Sequence, residues 1–467
     1  MSPSHRLFPL LWPAALAALG CQGAQRVPAA RPAAPAAIVW RHDDYAAARK
    51  RAVDERKPLV IDMWAPWCHT CLSMQQTVLV DPSIRALADR FVWLAVDTDR
   101  EGNAEVVGRY PVGAWPTFFV VSAEPHKVES RLVGSGTVLE FRDFLEHGER
   151  GWRETSGQKG LDGPMRHVRD GDRAAVARDW RAADEAYRKA LASGDLGERL
   201  PDVLVAAIGV RYKAEDWAGC MDLGRRRLVD AAQTRTAKAA DFAAYADMCA
   251  ERSGDETQAR SLRAAIVAEG SPVRAVLMDP KTPLSVDDRS DGLRILRDAH
   301  DALGQKDAGT ALAEKQRALL LDAITRAPDA RAAMTFNWPL AEVCARLGRP
   351  QDAIPILARS VDALPDEYDP PYRLAWLLVE AGRAREALPW AERSLGRVYG
   401  PRKARVQGLI AEIHHDLGDL DAERRARSAV VAIWEALSPE QANPAALTEA
   451  RAALAKVGAA EASAPRR

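Results

Sequence analysis

The chain has 467 residues, 47% apolar and 28% charged, which is enough apolar material for more than one packed core. Lys plus Arg and Asp plus Glu number 65 each, so the formal net charge is zero. That balance removes the overall electrostatic case for a nucleic-acid partner.

The first segment reads as an address. Arg6 supplies positive charge, and Leu7 to Leu19 is an apolar run broken by Pro9 and Pro13, too short to span a bilayer. Gly20 then precedes Cys21. The order Ala18-Leu19-Gly20-Cys21 resembles a bacterial lipoprotein box, with Ala18 where Leu is usual. The resemblance implies a signal segment over 1–21 and lipidation at Cys21. Gln22, in place of Asp, implies the outer membrane over the inner. Residues 22–37 are Pro- and Ala-rich and read as an extended tether. The expected location is the cell envelope, on the periplasmic side, with the lipid anchor as the one membrane attachment.

Residues 38–151 alternate between helical and strand patterns. Asp43 to Glu55 is expected to be helical, Pro58 to Trp64 a strand, and a helix opens at Cys68. Asp81-Pro82 interrupts that helix and Ile84 to Arg90 resumes it. Phe91 to Asp97 is a strand, Glu101 to Tyr110 a helix, Pro116 to Ser122 and Glu129 to Val133 strands, and Thr137 to His147 a closing helix. The pattern predicts an α/β domain with a mixed central sheet flanked by helices.

The chemistry lies in Trp64-Ala65-Pro66-Trp67-Cys68-His69-Thr70-Cys71, between a buried strand and a helix. Cys68 falls at the helix N-terminus, where free N–H groups and the helix dipole stabilise a thiolate. Such placement lowers a cysteine pKa from ~8.5 to roughly 3.5–7.5. Cys71 is one turn further on and can resolve a mixed disulfide formed by Cys68. No second Cys or His pair has zinc-ligand spacing, so no metal is expected. The expected cofactor is none beyond the redox-active disulfide itself.

The stretch from Val60 to Cys71, with Trp115-Pro116-Thr117 about 45 residues later, resembles the thioredoxin-like family. The insertion from Thr77 to Ile84 resembles the periplasmic C-terminal domain of DsbD. The resemblance implies Cys68 as attacking thiol, Cys71 as resolving thiol and Asp62 as the buried acid taking the second thiol's proton. It implies a cis Pro116 facing the pair, with Trp115 and Trp67 contacting an extended substrate. His69 and Thr70, between the cysteines, would tune the potential. A protonated His69 favours the thiolate and an oxidising pair. The DsbD-like insertion favours reduction, which is the direction slightly preferred.

Residues 160–437 are helical and rich in Ala, Leu and Arg. Gly348 and Ala353 recur as Gly382 and Ala387, a step of 34, with Leu340-Ala341 and Leu374-Ala375 at matching offsets. Gly418 follows, and Gly254 with Ala259 repeats the offset earlier. This period resembles the tetratricopeptide repeat and implies an all-α solenoid behind the α/β domain. Ser271 to Ser290, with three prolines, is expected to break the array as a loop or hinge. Cys220 and Cys249 lie on successive helices, where buried free thiols are the favoured expectation and a disulfide between them the alternative; Cys344 is expected as core. Residues 438–467 are expected to be a helix and a disordered tail from Gly458.

The expected function is an envelope thiol–disulfide oxidoreductase acting on protein clients. Its repeats bind a protein or peptide, a client or a reducing partner, on their concave face, or serve only to extend the redox head. The alternative is a non-catalytic lipoprotein scaffold.

Overall fold

The computed structural model describes residues 37–158, 161 and 163–463, with side chains to 457. The expected signal segment, Cys21 and residues 22–36 of the tether lie outside them.

Five strands form one sheet in the order β1-β3-β2-β4-β5: β1 (Trp40–His42), β2 (Leu59–Trp64), β3 (Val92–Asp97), β4 (Thr117–Ser122) and β5 (Lys127–Val133). β1 and β2 run parallel to β3, whereas β4 is antiparallel to β2 and to β5. The sequence pattern missed β1, because three residues at a sheet edge are too few to display a period. β2 is central and covered on both faces, so its run Leu59-Val60-Ile61 is continuously apolar.

Helices α1 (Tyr45–Asp54), α2 (His69–Gln76), α3 (Pro82–Arg85), α4 (Ala104–Arg109) and α5 (Val138–Thr155) flank the sheet. Strand alternation sends Leu59, Ile61 and Met63 to the layer containing Ala48, Ala52 and Tyr110. Val60 goes to the opposite layer with Met74, Phe118, Phe141 and Phe144. Asp62 shares Val60's side, and so lies beneath α2. A capping box of Thr137 and Glu140 starts α5, which continues past the expected end at His147 to Thr155.

The array follows. Its first helices are α6 (Gly163–Val176), α7 (Trp180–Ala192), α8 (Leu200–Lys213), α9 (Trp217–Ala231), α10 (Lys238–Ser253) and α11 (Glu256–Val267). The segment expected as a loop contains α12 (Pro272–Met278), begun by Pro272 at its first turn, and the first turns of α13 (Val286–Ala302). Next come α14 (Lys306–Arg326), α15 (Ala330–Met334), α16 (Asn337–Arg346), α17 (Ile354–Ala363), α18 (Asp369–Glu380) and α19 (Ala384–Leu395). The last three are α20 (Gly400–Asp416), α21 (Leu420–Ala436) and α22 (Pro444–Ser463). The backbone from Gly458 to Ser463 is helical, not the disordered tail expected there.

The periodic residues have a structural reason. Gly348 and Gly382 follow α16 and α18 with φ of 66° and 69°, the left-handed turn that reverses the chain. Ala353 and Ala387, five residues on, are fully buried where paired helices cross. Cys220 and Cys249 are joined in a disulfide linking α9 to α10, with Cα atoms 6.1 Å apart. Of the two states left open by the sequence, the disulfide, the less favoured, is the one formed. Helix pairing brings together side chains that spacing alone does not pair. Cys344 is buried and free.

The array packs directly on the α/β domain. Glu129 and Arg131 of β5 meet Arg173 (2.7 Å) and Asp172 (3.6 Å) of α6. Lys238 of α10 is fully buried and donates to the Val133 carbonyl.

Candidate active site

Cys68 caps the N-terminus of α2, and its sulfur accepts the Cys71 N–H at 3.0 Å. The two sulfurs are bonded, with Cα atoms 5.2 Å apart. The cap geometry aims the Cys71 amide at Sγ of Cys68, an arrangement that stabilises a thiolate once the pair is reduced. Ala65, Trp64, Trp67 and Trp115 form an apolar collar around the two sulfurs.

Asp62 is 2% exposed, and its Oδ1 has no hydrogen-bond partner. Burial pushes its pKa up to about 8, so the carboxyl is largely protonated at neutral pH. Asp62 also borders a cavity of about 410 Å³, shared with His42, Trp64 and Arg85. The Trp115-Pro116 bond is cis. The Trp115 indole donates to Oγ1 of Thr98 at 2.9 Å and meets the Trp67 ring edge-on at 5.3 Å.

The array covers this site. Arg402 lies over the Trp67 ring, 4.8 Å from its centroid, and Arg373 donates to the Trp67 carbonyl at 3.4 Å. The Trp67 indole donates to Asp99 at 2.7 Å. Burial raises the Asp99 pKa to about 6, despite that hydrogen bond. The Tyr399 hydroxyl donates to Asp97. Nε2 of Gln441 donates to the carbonyls of Thr98 and Arg100, at 3.0 Å each. Along α2, Ser73 reaches Ser285 at 3.3 Å and Gln76 reaches Thr335 at 3.0 Å. Cys68 and Cys71 are consequently 4% and 1% exposed. Trp67, expected to face a substrate, packs instead against the core of the last repeats.

His69 is tied to the array by a 2.8 Å contact between its Nδ1 and Asp287. Burial would lower its pKa, but the Asp287 and Asp291 carboxylates outweigh burial and hold it at about 9. Among the described residues, His69, Asp287 and Asp291 are the group whose metal-ligating atoms converge, within 4.8 Å of one another. Here the imidazolium is itself the cation between the two carboxylates. The Thr70 hydroxyl lies 3.4 Å from the His69 ring.

Asp287, Arg373, Tyr399, Arg402 and Gln441 escaped the sequence reading. They lie 200 or more residues from the motif they cover, and no local pattern marks them.

The family model for thioredoxin-like proteins matches residues 40–123, and that for the tetratricopeptide repeat matches residues 345–413. The chain carries a thioredoxin-like domain followed by tetratricopeptide repeats. The thioredoxin-like domain is similar to the thiol:disulfide interchange protein DsbD of Colwellia psychrerythraea, 26% identical over 96 residues. That match covers 20% of this chain and 16% of the relative. It is also similar to DsbD of Vibrio vulnificus, 29% identical over 102 residues, covering 21% and 17%. The chain thus spans about a sixth of the length of these relatives. Thioredoxin of Chlorobaculum thiosulfatiphilum is 27% identical over 85 residues, 18% of this chain and 71% of its own. Among solved structures, a tetratricopeptide repeat protein from Parabacteroides merdae aligns with a TM-score of 0.40 at 11% identity, covering 62% of this chain and 98% of its own.

Proposed function

We propose that the chain is a cell-envelope thiol–disulfide oxidoreductase working through Cys68 and Cys71. The observation that carries this reading is the bonded pair at the start of α2, with buried Asp62 on the sheet face beneath that helix. In the reducing direction, the Cys68 thiolate attacks one sulfur of a substrate disulfide and expels the other as a thiolate. Cys71 passes its proton to Asp62 in the minority of molecules where burial leaves that carboxyl ionised at neutral pH, and attacks Sγ of Cys68. The substrate leaves with two electrons and the pair closes. Run backwards, the same steps oxidise a dithiol.

Reduction is the direction we propose, on the likeness to the DsbD proteins. The Cys220–Cys249 disulfide supports an oxidising compartment such as the envelope, with Cys21 as its lipid anchor. A thioredoxin-like domain and tetratricopeptide repeats are both suited to engaging proteins. The second reading, a non-catalytic scaffold, draws on the burial of the pair beneath the repeats.

Cys71→Ala decides between the two readings. It is expected to trap clients as mixed disulfides through Cys68, and the unaltered chain to reduce insulin. Absence of both adducts and insulin reduction leaves the scaffold. Titration against glutathione fixes the direction.

A further inference from the structure

The exchange steps leave a proton to be disposed of. Asp62 holds its own proton in most molecules and must release it before taking that of Cys71, and each turnover loads the carboxyl again. The sulfur side gives that proton no way out. Cys68 and Cys71 are 4% and 1% exposed, and Trp64, Trp67 and Trp115 close the collar around them.

The cavity beside Asp62 lies elsewhere. In the sheet, Asp62 of β2 pairs with Ala95 of β3, which pairs in turn with His42 of β1. The three form one row on one face, the strands about 4.8 Å apart. The small side chain of Ala95 leaves the middle of that row unfilled, and the cavity extends along it from buried Asp62 to exposed His42. Val80, 40% exposed, also borders it. Two buried polar atoms of its lining residues lack hydrogen-bond partners, Oδ1 of Asp62 and Nε1 of Trp64. They offer an acceptor and a donor to water, and at roughly 30 Å³ per molecule the space holds several. Arg85 and Arg331 line it too, Arg331 paired with Glu367 at 2.5 Å. Guanidinium groups release no proton near neutral pH. Besides Asp62, that leaves His42 as the lining side chain able to take up a proton and pass it on.

We propose that this cavity is the proton exit of the redox site, and that His42 at its mouth carries the proton to solvent. The Asp62 carboxyl gives its proton to water in the cavity, and a neutral imidazole nitrogen of His42 takes it up and releases it outside. The carboxylate then accepts the Cys71 thiol proton as that sulfur attacks Sγ of Cys68. The bond from Cys68 to the substrate breaks, its electron pair leaving on the substrate sulfur. The proposal rests on the oxidoreductase reading and adds the route by which its proton leaves.

The test uses the full chain, its pair first reduced with a small dithiol and then mixed with less than one equivalent of a small symmetric aromatic disulfide. That probe frees one absorbing thiolate when Cys68 attacks and a second when Cys71 resolves, so two phases report the two steps. Ala95→Leu, which fills the row between Asp62 and His42, is expected to slow the second phase at least 10-fold and leave the first unchanged. His42→Ala is expected to slow the second phase as well, and free imidazole in solution to restore it, a rescue that a merely structural role does not give. A folded A95L chain with a parental second phase, or with both phases slowed alike, overturns the proposal. So does an H42A chain with a parental second phase, or with a slowed one that imidazole leaves unchanged. Should A95L fail to fold, H42A still decides. An unaltered chain that frees no thiolate in either phase overturns the oxidoreductase reading itself.

Discussion

Asp62 is a carboxyl that the fold keeps neutral, and this has a consequence for stability. In the unfolded chain it ionises near its ordinary value of 3.8, whereas in the folded chain it holds its proton to about 8. Between those limits the unfolded state binds fewer protons, so this group makes stability fall as pH rises. Asp62→Asn removes the effect. The variant is expected to be more stable than the parent at pH 7, by at least ~2 kcal/mol, and little different at pH 4, as measured by urea unfolding. It should also slow the resolving step, seen as mixed disulfides that persist. This residue was legible in the sequence only through the resemblance to the thioredoxin-like family, whose buried acid Asp62 matches. His69 was legible as a residue, but its state was not. The two carboxylates that keep it protonated come from α13, more than 200 residues away.

At the scale of elements, α2 is held between the sheet and α13, and the His69–Asp287 pair is their charged contact. The imidazole's raised pKa contributes stability that is complete below about 6.5 and is lost as pH rises through about 9. Asp287→Asn is therefore expected to cost about 1–3 kcal/mol at pH 6 and less at pH 10, read from unfolding at both values. In the array, the Cys220–Cys249 bond closes a loop of 29 residues between α9 and α10. Replacing both with Ala is expected to cost about 2–4 kcal/mol, measured as the shift in the denaturant midpoint. The repeat period was readable because left-handed glycines and small crossing residues are local requirements of a helix pair. The disulfide was not readable, because it depends on how two helices rotate against each other.

For the whole molecule, the sequence reading separated a redox head from an array free to recruit partners. The structure instead spends one surface of the array on the head. The cover over Trp67 rests on Arg373 and Arg402, and loosening it should uncover the sulfurs. The double variant Arg373→Ala, Arg402→Ala is expected to raise the alkylation rate of the reduced pair about 10-fold, roughly 1.4 kcal/mol of opening free energy. Quantifying label on Cys68 in both chains checks this, and an unchanged rate would place the cover elsewhere. Side chains with no local pattern create this arrangement, so no window of sequence contains it. Gln441 gives it an order in time. About 370 residues separate Cys71 from the glutamine that ties down the Thr98 and Arg100 carbonyls. At translation speeds of about 5–20 residues per second, the cysteines emerge roughly 20 to 70 s before that last brace exists. Each newly made copy thus passes through a juvenile stage with its sulfurs open to whatever oxidant or reductant is nearby, and maturity closes the door.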